Sequence, residues 1–551
     1  MKKYILLGLA LLYVTLLLGQ DYSYMFRLTL KDKGKSGYSI DKPEQFLSPK
    51  AIERRQKQGL KINESDVPIS ADYLKKIGEN NGIIVAKSKW LNTVSVLVAD
   101  SMMVDQLAGL PFIDSVMFVW RGTIYNRPEK MVPDSIPFYP MNDITPRESY
   151  YGLGTINIET LNGDKLHNAG FRGSGVSIAV IDAGFNNLKS IEYLDSINVR
   201  EYKNFVYNGD GYSIYNRINQ HGLNSLSCMA TNKPHRYVGT APEADYYLYV
   251  SEDSRSEYPI EEDYWVAAIE HADSVGVDVV NTSLGYYKFD APAISATYSD
   301  LNGKARLISR GANKAVEKGM FLVCSAGNEG SGNWGKITSP ADAFGVLTVG
   351  AIRMDSTIAP FSSRGYTADL RIKPDVVALG FYTPLISDMG RITLKSGTSF
   401  SSPIMCGMVA CLWQAFPGLT NAELLDVVQR SSDRYDDPNE TFGYGIPNME
   451  KAMQLAKQVA DNKGVNRVAA TENFRIESDG VGLLRIVVLN ASADDEYTVA
   501  LVKKVNKKDR TILTDKFSGS RYEANLKTGS KAVYNLTIES GVIKDTLQVY
   551  F

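Results

Sequence analysis

The chain has 551 residues, 44% of them hydrophobic, and a formal net charge of −2 at pH 7. A charge this close to zero excludes the basic excess of a typical nucleic-acid-binding protein, and the hydrophobic content excludes a mainly disordered chain. At about 100–200 residues per domain, this length predicts two to four globular domains.

The N-terminus has the layout of a secretory signal peptide, which we place at residues 1–20. Lys2 and Lys3 precede an apolar run over residues 4–18, and the small residue Gly19 follows it. The alternative is an uncleaved membrane anchor, because the run is only slightly shorter than the roughly 17–25 residues that span a bilayer. We favour export to the periplasm, the cell surface or the medium. Because no second run of this kind occurs, we expect no stable membrane insertion of the remaining chain.

Residues 21–121 predict a small α+β domain with the order strand, helix, helix, strand, helix, strand. The segments YMFRLTL, NTVSVLVA and DSVMFVW have strand-like patterns, and the helical segments SPKAIERRQKQG and SADYLKKIGENNG each begin at a serine N-cap. Residues 122–150 are rich in proline and lack periodicity, so they predict a linker.

Residues 151–462 predict an α/β domain built on a doubly wound, mainly parallel sheet. Continuous apolar runs such as VSIAVIDAG, DYYLYV, GVDVVNTSLG, MFLVCSAGN and VLTVGAI alternate with helical segments, as expected for strands that are buried on both faces. In such sheets the functional residues gather at the carboxyl ends of the strands.

Residues 463–551 predict a small β-sandwich, because strand-like runs are separated by turn signals at roughly ten-residue intervals. The final segment, KAVYNLTIESGVIKDTLQVYF, is similar to the terminal β-domains that serve as sorting signals in Bacteroidetes-type secretion. A generic accessory sandwich explains it equally well, and both interpretations stay open.

The cysteines predict free thiols. Cys228, Cys324, Cys406 and Cys411 all lie in apolar segments. An exported chain could pair them in disulfides, but positions inside predicted buried elements favour unpaired side chains.

Asp182 and His221 are candidate members of a catalytic site. Asp182 ends the predicted strand VSIAVIDAG, which puts its carboxylate at the functional edge of the sheet, although an aspartate there is more often a turn residue or a helix cap. His221 opens the predicted buried helix HGLNSLSCMA, where a single histidine is more often structural. Neither residue alone identifies a chemistry.

Ser399 opens an apolar helix predicted over residues 399–416, which Pro417 and Gly418 end. A lone serine before a helix is usually an N-cap. A helix N-terminus also suits a developing oxyanion, because its free backbone N–H groups and its positive dipole end attract negative charge. A serine becomes a nucleophile only with a base beside it, so the interpretation depends on the other residues.

Asn328 follows the predicted strand MFLVC within the segment SAGNEG. An asparagine among glycines is usually a turn former, but its side-chain amide could donate to an oxyanion at the same edge as Asp182. Two further segments end parallel strands at this edge, and their extended backbone could pair with a peptide substrate by strand addition. These candidate substrate-binding residues are Ser283, Leu284, Gly285, Ser325, Ala326 and Gly327.

Several segments occur in the order found in the subtilisin-like serine proteases, the subtilases, and the resemblance covers about residues 150–460. They are VIDAGF, HGLNSLS, GTAPEADYYLY, NTSLG, SAGNEG, FSSRG, KPDVVALG, GTSFSSP and FGYGIPNMEKA. The order Asp, His, Ser along the chain is the subtilisin order and differs from the chymotrypsin and α/β-hydrolase orders.

The resemblance implies a role for each candidate residue. Ser399 would be the nucleophile, His221 the general base and later the acid, and Asp182 the carboxylate that fixes the imidazole tautomer. The side-chain amide of Asn328 and the backbone N–H of Ser399 would form the oxyanion hole.

The sequence departs from the family pattern at two positions. Ala183 follows the aspartate where the family often has Ser or Thr, and Leu379 replaces a common proline. Neither change removes a group that the mechanism needs. The implied chemistry requires no cofactor. Many subtilases bind structural calcium, but the sequence contains no oxygen-rich loop from which its ligands could be named.

The N-terminal α+β domain resembles the inhibitory propeptide that many subtilases carry. This implies a self-inhibited zymogen in which the chain's own N-terminal domain is an intramolecular inhibitor that also helps the parallel sheet to fold. The processing cut is then expected in the linker, between about residues 121 and 149. A permanent accessory domain is the alternative.

The main functional hypothesis is a secreted serine endopeptidase that hydrolyses proteins or peptides through an acyl-enzyme. The second is a catalytically inactive subtilase scaffold that binds peptides or acts as an adhesin, which the complete triad disfavours. The third is an esterase, disfavoured because Ser401 breaks the motif G-x-S-x-G. Because His221 must be neutral to accept a proton, we expect activity to rise through about pH 6–8. No nucleic-acid partner is expected, and the oligomeric state stays open.

Overall fold

The computed structural model describes most of the chain. The described residues are 22–122, 146–206, 219–462, 469–470, 474–478, 483–488, 496–505, 508–519, 521–525, 533–541 and 543–550. The predicted signal peptide lies outside these residues, as does most of the predicted linker, so both stay predictions.

The N-terminal domain combines a four-stranded antiparallel sheet with three α-helices. Its elements in chain order are β1 (Ser23–Leu30), α1 (Pro49–Lys57), α2 (Ala71–Glu79), β2 (Ile83–Ser88), β3 (Thr93–Val98), α3 (Val104–Ala108) and β4 (Ile113–Gly122). The strand order across the sheet is β2, β3, β1, β4. Its core contains Leu28 and Val96 from the sheet with Ile77 and Leu107 from the helices.

The sequence-based order of this domain lacked one strand, β2. The strand pairs with β3, but its side chains do not alternate cleanly between buried and exposed positions. The apolar periodicity that indicates a half-buried strand is therefore absent from its sequence.

The central domain contains the doubly wound parallel sheet that the sequence predicts. Its strands, including short two-stranded pairs, are β5 (Ser177–Asp182), β6 (Asn198–Asn204), β7 (Asn232–Lys233), β8 (Tyr237–Val238), β9 (Asp245–Val250), β10 (Val279–Thr282), β11 (Phe321–Ser325), β12 (Leu347–Ile352), β13 (Gly365–Tyr366), β14 (Ile372–Lys373), β15 (Val376–Leu379), β16 (Thr383–Ile386) and β17 (Ile392–Lys395). Seven of them form one sheet in the order β15, β12, β11, β10, β5, β9, β6, and every neighbouring pair in it is parallel.

Helices cover both faces of this sheet. They are α4 (Thr155–Glu159), α5 (Asp164–Asn168), α6 (His221–Ala230), α7 (Ile260–Val275), α8 (Leu307–Glu317), α9 (Thr398–Ala415), α10 (Asn421–Ser431) and α11 (Met449–Asn462). Alternate residues of β5 face opposite layers: Ile178 and Val180 belong to the core with α6 and α9, whereas Ala179 and Ile181 belong to the core with α7 and α8. This alternation explains why the strand is apolar throughout.

The C-terminal region contains two four-stranded antiparallel sheets. Its strands are β18 (Ala469–Ala470), β19 (Phe474–Ser478), β20 (Leu483–Val488), β21 (Glu496–Val505), β22 (Lys508–Ser518), β23 (Arg521–Asn525), β24 (Val533–Ser540) and β25 (Ile543–Tyr550). One sheet has the order β18, β19, β20, β23 and the other β22, β21, β24, β25. Phe474 and Ile486 of the first sheet share a core with Tyr497 and Leu536 of the second, which is the packing of a sandwich.

All four cysteines are buried free thiols, so the sequence-based prediction for them is confirmed. In the part of the chain that the structure describes, no helix is both long enough and apolar enough to cross a bilayer.

Candidate active site

The register of the parallel sheet sets three candidate residues side by side. Thr282 of β10 pairs with Ile181 of β5 on one side and with Cys324 of β11 on the other. The next residue along each strand is Asp182, Ser283 or Ser325, and all three therefore lie at the carboxyl edge of the sheet. This edge is where the sequence places the functional site.

Asp182 is fully buried and holds the imidazole of His221. Its Oδ1 lies 2.6 Å from His221 Nδ1 and accepts the backbone N–H of Ala183 at 2.7 Å. Its Oδ2 accepts the hydroxyl of Ser225 at 3.2 Å. Because both carboxylate oxygens have donors, the ring of His221 is fixed with Nδ1 toward the carboxylate and Nε2 away from it.

His221 is the first residue of α6, and its side chain is 33% exposed. Burial lowers the pKa of the imidazole, but the charge of Asp182 and its hydrogen bond outweigh burial and raise the pKa to about 9. The ring therefore has the neighbours of a general base and reaches solvent on its free side.

Ser399 is the second residue of α9, and its hydroxyl donates to the carbonyl oxygen of Ser283 at 3.2 Å. Among the described residues it makes this bond and none to His221. The next residue, Phe400, has its ring centroid 6.0 Å from that of the imidazole, so the serine and the base share one edge. Catalytic hydrogen bonds are often absent without substrate, and rotation of the Ser399 side chain would be needed to form this one.

Asn328 is oriented by the residue before the serine. Its Oδ1 accepts the backbone N–H of Thr398 at 2.9 Å and the Thr398 hydroxyl at 3.1 Å. Because a backbone N–H can only donate, the amide oxygen must face Thr398 and the amide nitrogen must point elsewhere.

The amide nitrogen of Asn328 shares a small space with the backbone N–H of Ser399. A Cβ atom added to Gly397 would lie 3.7 Å from Asn328 Nδ2 and 3.7 Å from Ser399 N. Two hydrogen-bond donors from different segments thus border the position beside Gly397. Such a pair is suited to a negatively charged oxygen.

The predicted substrate-binding residues divide into two groups. The hydroxyl of Ser283 donates to the Ser399 carbonyl oxygen at 2.9 Å. The N–H of Ala326 donates to Val349, and its carbonyl oxygen accepts the N–H of Thr338. The N–H of Gly327 already donates to Thr398 Oγ1 and is therefore not free to donate to a substrate. Ser325 is likewise paired within the sheet. These four residues are committed to contacts that support the site.

Leu284 and Gly285 differ from those four. Within the described part of the chain, neither makes a backbone hydrogen bond. They directly follow Ser283, whose carbonyl oxygen contacts the Ser399 hydroxyl. Their backbone is therefore available to an extended peptide beside the serine.

Comparison with known proteins identifies the family of this chain. Residues 173–445 match the subtilase family, and residues 25–132 match the peptidase S8 propeptide domain of Bacteroidota. The chain belongs to the subtilase family. It is a serine endopeptidase with an N-terminal propeptide domain.

Individual subtilases are similar over most of their length. Subtilisin E of Bacillus subtilis is 27% identical over 388 residues, which cover 70% of this chain and 87% of that protein. A subtilisin of Bacillus pumilus is 28% identical over 300 residues, which cover 54% of this chain and 98% of that protein. M-protease of Shouchella clausii is 27% identical over 299 residues, covering 54% of this chain and 68% of that protein.

Sequence reasoning missed three residues that shape this subtilase site. Ser225 lies one helical turn after His221 and bonds to Asp182, and Thr398 orients Asn328. Glu252 follows β9 by two residues, accepts the Tyr286 hydroxyl at 3.4 Å and interacts electrostatically with the aspartate and the histidine. Burial and then the Asp182 charge raise the pKa of Glu252 to about 7. The spacing of four between His221 and Ser225 was the available signal for the first of them.

The propeptide domain of this subtilase packs on α7 through buried charges. Arg27 of β1 contacts Asp263 at 2.7 Å and 2.5 Å, and Asp263 also accepts the Ser95 hydroxyl at 2.8 Å. About two turns after Asp263 on the same helix, Glu270 accepts the backbone N–H groups of Lys89 at 2.9 Å and Trp90 at 3.0 Å. The acidic face of α7 is thus matched by donors from the propeptide sheet.

A second cluster of buried charges joins the two domains near the end of α7. Asp273 accepts both Arg54 and Arg55 of α1, the latter at 2.8 Å. Asp66 of the propeptide domain contacts Arg55 and, from the protease domain, Lys318, each at 2.9 Å. All five side chains are almost completely buried, so the ions depend on each other across the interface.

The described residues contain no group of three or more His, Cys, Asp or Glu side chains that could hold a metal ion. Structural calcium therefore stays a prediction of the family resemblance.

Proposed function

We propose that the chain is an exported endopeptidase, made as a zymogen, that hydrolyses proteins or peptides through an acyl-enzyme. The observation that carries the proposal is the contact between Asp182 and His221 at the sheet edge where α9 presents Ser399. Two donors beside Gly397 complete the arrangement.

In the proposed mechanism, Ser399 Oγ attacks the carbonyl carbon of the scissile bond while its proton passes to His221 Nε2. Asp182 holds the Nδ1–H tautomer and stabilises the imidazolium that forms. The negative charge on the former carbonyl oxygen is stabilised by Asn328 Nδ2 and by the backbone N–H of Ser399.

Collapse of this tetrahedral intermediate breaks the C–N bond, and His221 gives its proton to the departing amine. A water molecule then attacks the ester carbon of the acyl-enzyme and gives a proton to His221. The second collapse breaks the ester, returns that proton to Ser399 Oγ and releases the carboxylic acid.

The proposed substrate path follows Leu284 and Gly285. Their backbone groups are free among the described residues and lie next to the nucleophile's contact with Ser283. A substrate in extended conformation would add to this edge by main-chain hydrogen bonds, so the side chains carry the selectivity. The remaining predicted residues, Ser283, Ser325, Ala326 and Gly327, would act by supporting this edge.

We assign the propeptide domain the role of an intramolecular inhibitor that is cut away between about residues 121 and 149. The last strand of the domain supports this role, because Trp120 Nε1 donates to Ser256 at 3.3 Å in the segment that follows β9. That segment starts beside Asp182, since Ser251 N donates to the Asp182 carbonyl oxygen at 3.1 Å. The last strand of the propeptide domain therefore contacts the segment that begins beside Asp182.

One observation favours the alternative of an inactive scaffold that binds peptides. The Ser399 hydroxyl is bonded to Ser283 and, among the described residues, not to His221. A serine locked in this rotamer would not transfer its proton. A test of the proposed function must therefore measure the reactivity of the serine as well as turnover.

The test compares the chain without residues 1–20 with its Ser399→Ala variant, using intact mass, casein cleavage and labelling by a serine-directed fluorophosphonate. We expect the parent to cut itself in the linker, take the label and degrade casein, and the variant to stay full length and inert. Ser401→Ala is the matched control, because this neighbouring hydroxyl bonds to the Thr398 carbonyl oxygen inside the helix. If limited trypsin treatment of the linker also leaves the parent unlabelled and inactive, the scaffold hypothesis replaces the protease.

A further inference from the structure

The hydroxyl of Thr338 is a buried polar group without a partner. The residue is 4% exposed, and within the described residues its Oγ1 makes no hydrogen bond. Its backbone N–H donates to the Ala326 carbonyl oxygen at 3.2 Å, which fixes its place beside β11. Unpaired buried hydroxyls are uncommon in folded proteins, because they lose their hydrogen bonds to water on burial. Hydrogen bonding therefore does not explain why a threonine occupies position 338.

Thr338 fills the space between the two segments that follow β10 and β11. A Cβ atom added to Gly285 would lie 2.0 Å from Thr338 Oγ1, and one added to Gly327 would lie 3.0 Å from the same oxygen and 3.1 Å from Thr338 Cγ2. Both glycines are thus in close contact with one side chain. Thr338 therefore excludes a side chain at Gly285, whereas at Gly327 the positive φ of 106° disfavours one as well.

The same space borders the reacting groups. On one side, Ser283 accepts the hydroxyl of Ser399 and leads into Gly285, and on the other side Gly327 leads into Asn328. If a peptide lies along Leu284 and Gly285, as the proposed function requires, and its carbonyl oxygen reaches the two donors beside Gly397, its side chain before the scissile bond would lie next to Thr338.

We propose that Thr338 closes the floor of the pocket for this side chain and restricts the enzyme to small residues, namely glycine, alanine and serine, before the cleaved bond. The inference rests on the proposed function, because it places the scissile bond at Ser399. Compared with glycine, threonine puts three additional non-hydrogen atoms, Cβ, Oγ1 and Cγ2, into the gap. A leucine or phenylalanine side chain therefore has no room.

The experiment measures kcat/KM for peptide amides that differ only in this side chain: glycine, alanine, serine, leucine or phenylalanine. Rates are expressed per site labelled by fluorophosphonate, so that misfolded protein does not count. We expect the parent to prefer alanine over phenylalanine by at least about tenfold, since pocket contacts of a few methylenes discriminate by this order. Thr338→Gly should raise the phenylalanine-to-alanine ratio by at least about tenfold.

Two variants separate shape from other effects. Thr338→Val keeps the volume but removes the hydroxyl, so it should keep the selectivity of the parent. Ser339→Ala removes the neighbouring buried hydroxyl, which is also without a partner among the described residues, and serves as the matched control. If the Thr338→Gly variant is not labelled by the fluorophosphonate, Thr338→Ala replaces it, because alanine leaves a smaller cavity.

Each outcome decides the inference. The pocket assignment would be overturned if the parent prefers phenylalanine or leucine. It would also be overturned if Thr338→Gly and Thr338→Ala change the phenylalanine-to-alanine ratio of kcat/KM no more than Ser339→Ala does. Either result would leave the proposed function standing. A parent that neither labels nor cleaves any of the five peptides would overturn the proposed function, and the inference would fall with it.

Discussion

His221 Nδ1 lies 2.6 Å from Asp182 Oδ1, and this contact raises the pKa of the imidazole to about 9 against the opposing effect of burial. The carboxylate therefore has two effects. It fixes the ring for proton transfer through Nε2, and it shifts the pH at which the ring is neutral.

The first prediction concerns the pH dependence of hydrolysis. Only neutral His221 accepts the Ser399 proton. Because the pKa of the ring is about 9, the ring is mostly protonated at lower pH. We therefore expect kcat/KM to rise as pH increases through about 9, above the window of about pH 6–8 that the ordinary histidine pKa indicates. A profile that is already flat at pH 8 would contradict the raised pKa.

The same contact predicts the effect of Asp182→Asn. An amide cannot stabilise the imidazolium, so the pKa of His221 should fall and kcat should drop by roughly 10⁴-fold. The pH–rate profile and kcat of the variant give the two measurements. A variant with wild-type kcat would remove Asp182 from the site.

Glu252 predicts a smaller shift in the same profile. Its charge contributes to the raised pKa of His221. Glu252→Gln should move the rise in kcat/KM to lower pH and leave the plateau nearly unchanged. Glu257→Gln is the control, because Glu257 lies further along the same segment, with its backbone N–H bonded to Asp290 at 3.0 Å. Equal shifts for both variants would show that Glu252 has no special position.

Asn328→Leu tests the oxyanion hole. Leucine keeps the approximate volume but lacks the Nδ2 donor, so kcat should fall by about 10²–10³-fold with little change in KM, the loss known for such a donor in subtilisin. Thr398→Val is an informative companion, because it removes one of the two bonds to Asn328 and keeps the backbone N–H. Its kcat should fall much less. An unchanged kcat for Asn328→Leu would place the oxyanion elsewhere.

The charges at the propeptide interface predict a change in stability. In the uncut Ser399→Ala chain, Asp273→Asn leaves Arg54 and Arg55 buried without their shared counter-charge, which should cost about 3–5 kcal/mol of unfolding free energy. Urea unfolding measures it. Glu53→Gln is the control, because Glu53 pairs with Lys57 on the exposed side of α1 and should change nothing measurable. Similar unfolding midpoints for both variants would contradict a role for the buried cluster.

Much of the fold follows from local patterns. The strand β5 is apolar throughout because both of its faces are covered, and α9 is apolar because it is buried among the sheet and other helices. Predicted over residues 399–416, α9 spans Thr398–Ala415. The strand β2 was missed because only some of its side chains are buried, so its sequence lacks the period of a strand.

The sequence by itself determined the family, the fold class and the candidate residues Asp182, His221, Asn328 and Ser399. Each of these residues lies in a short uninterrupted motif. Each also lies near the end of a strand or at the start of a helix, which local sequence patterns predict. The tertiary structure alone decided the contacts between distant segments. Arg27 meets Asp263 across 236 positions of sequence, and Thr338 lies between two glycines that no motif connects to it. Local propensity carries no information on such pairs, because they depend on the register of a parallel sheet and on how domains pack.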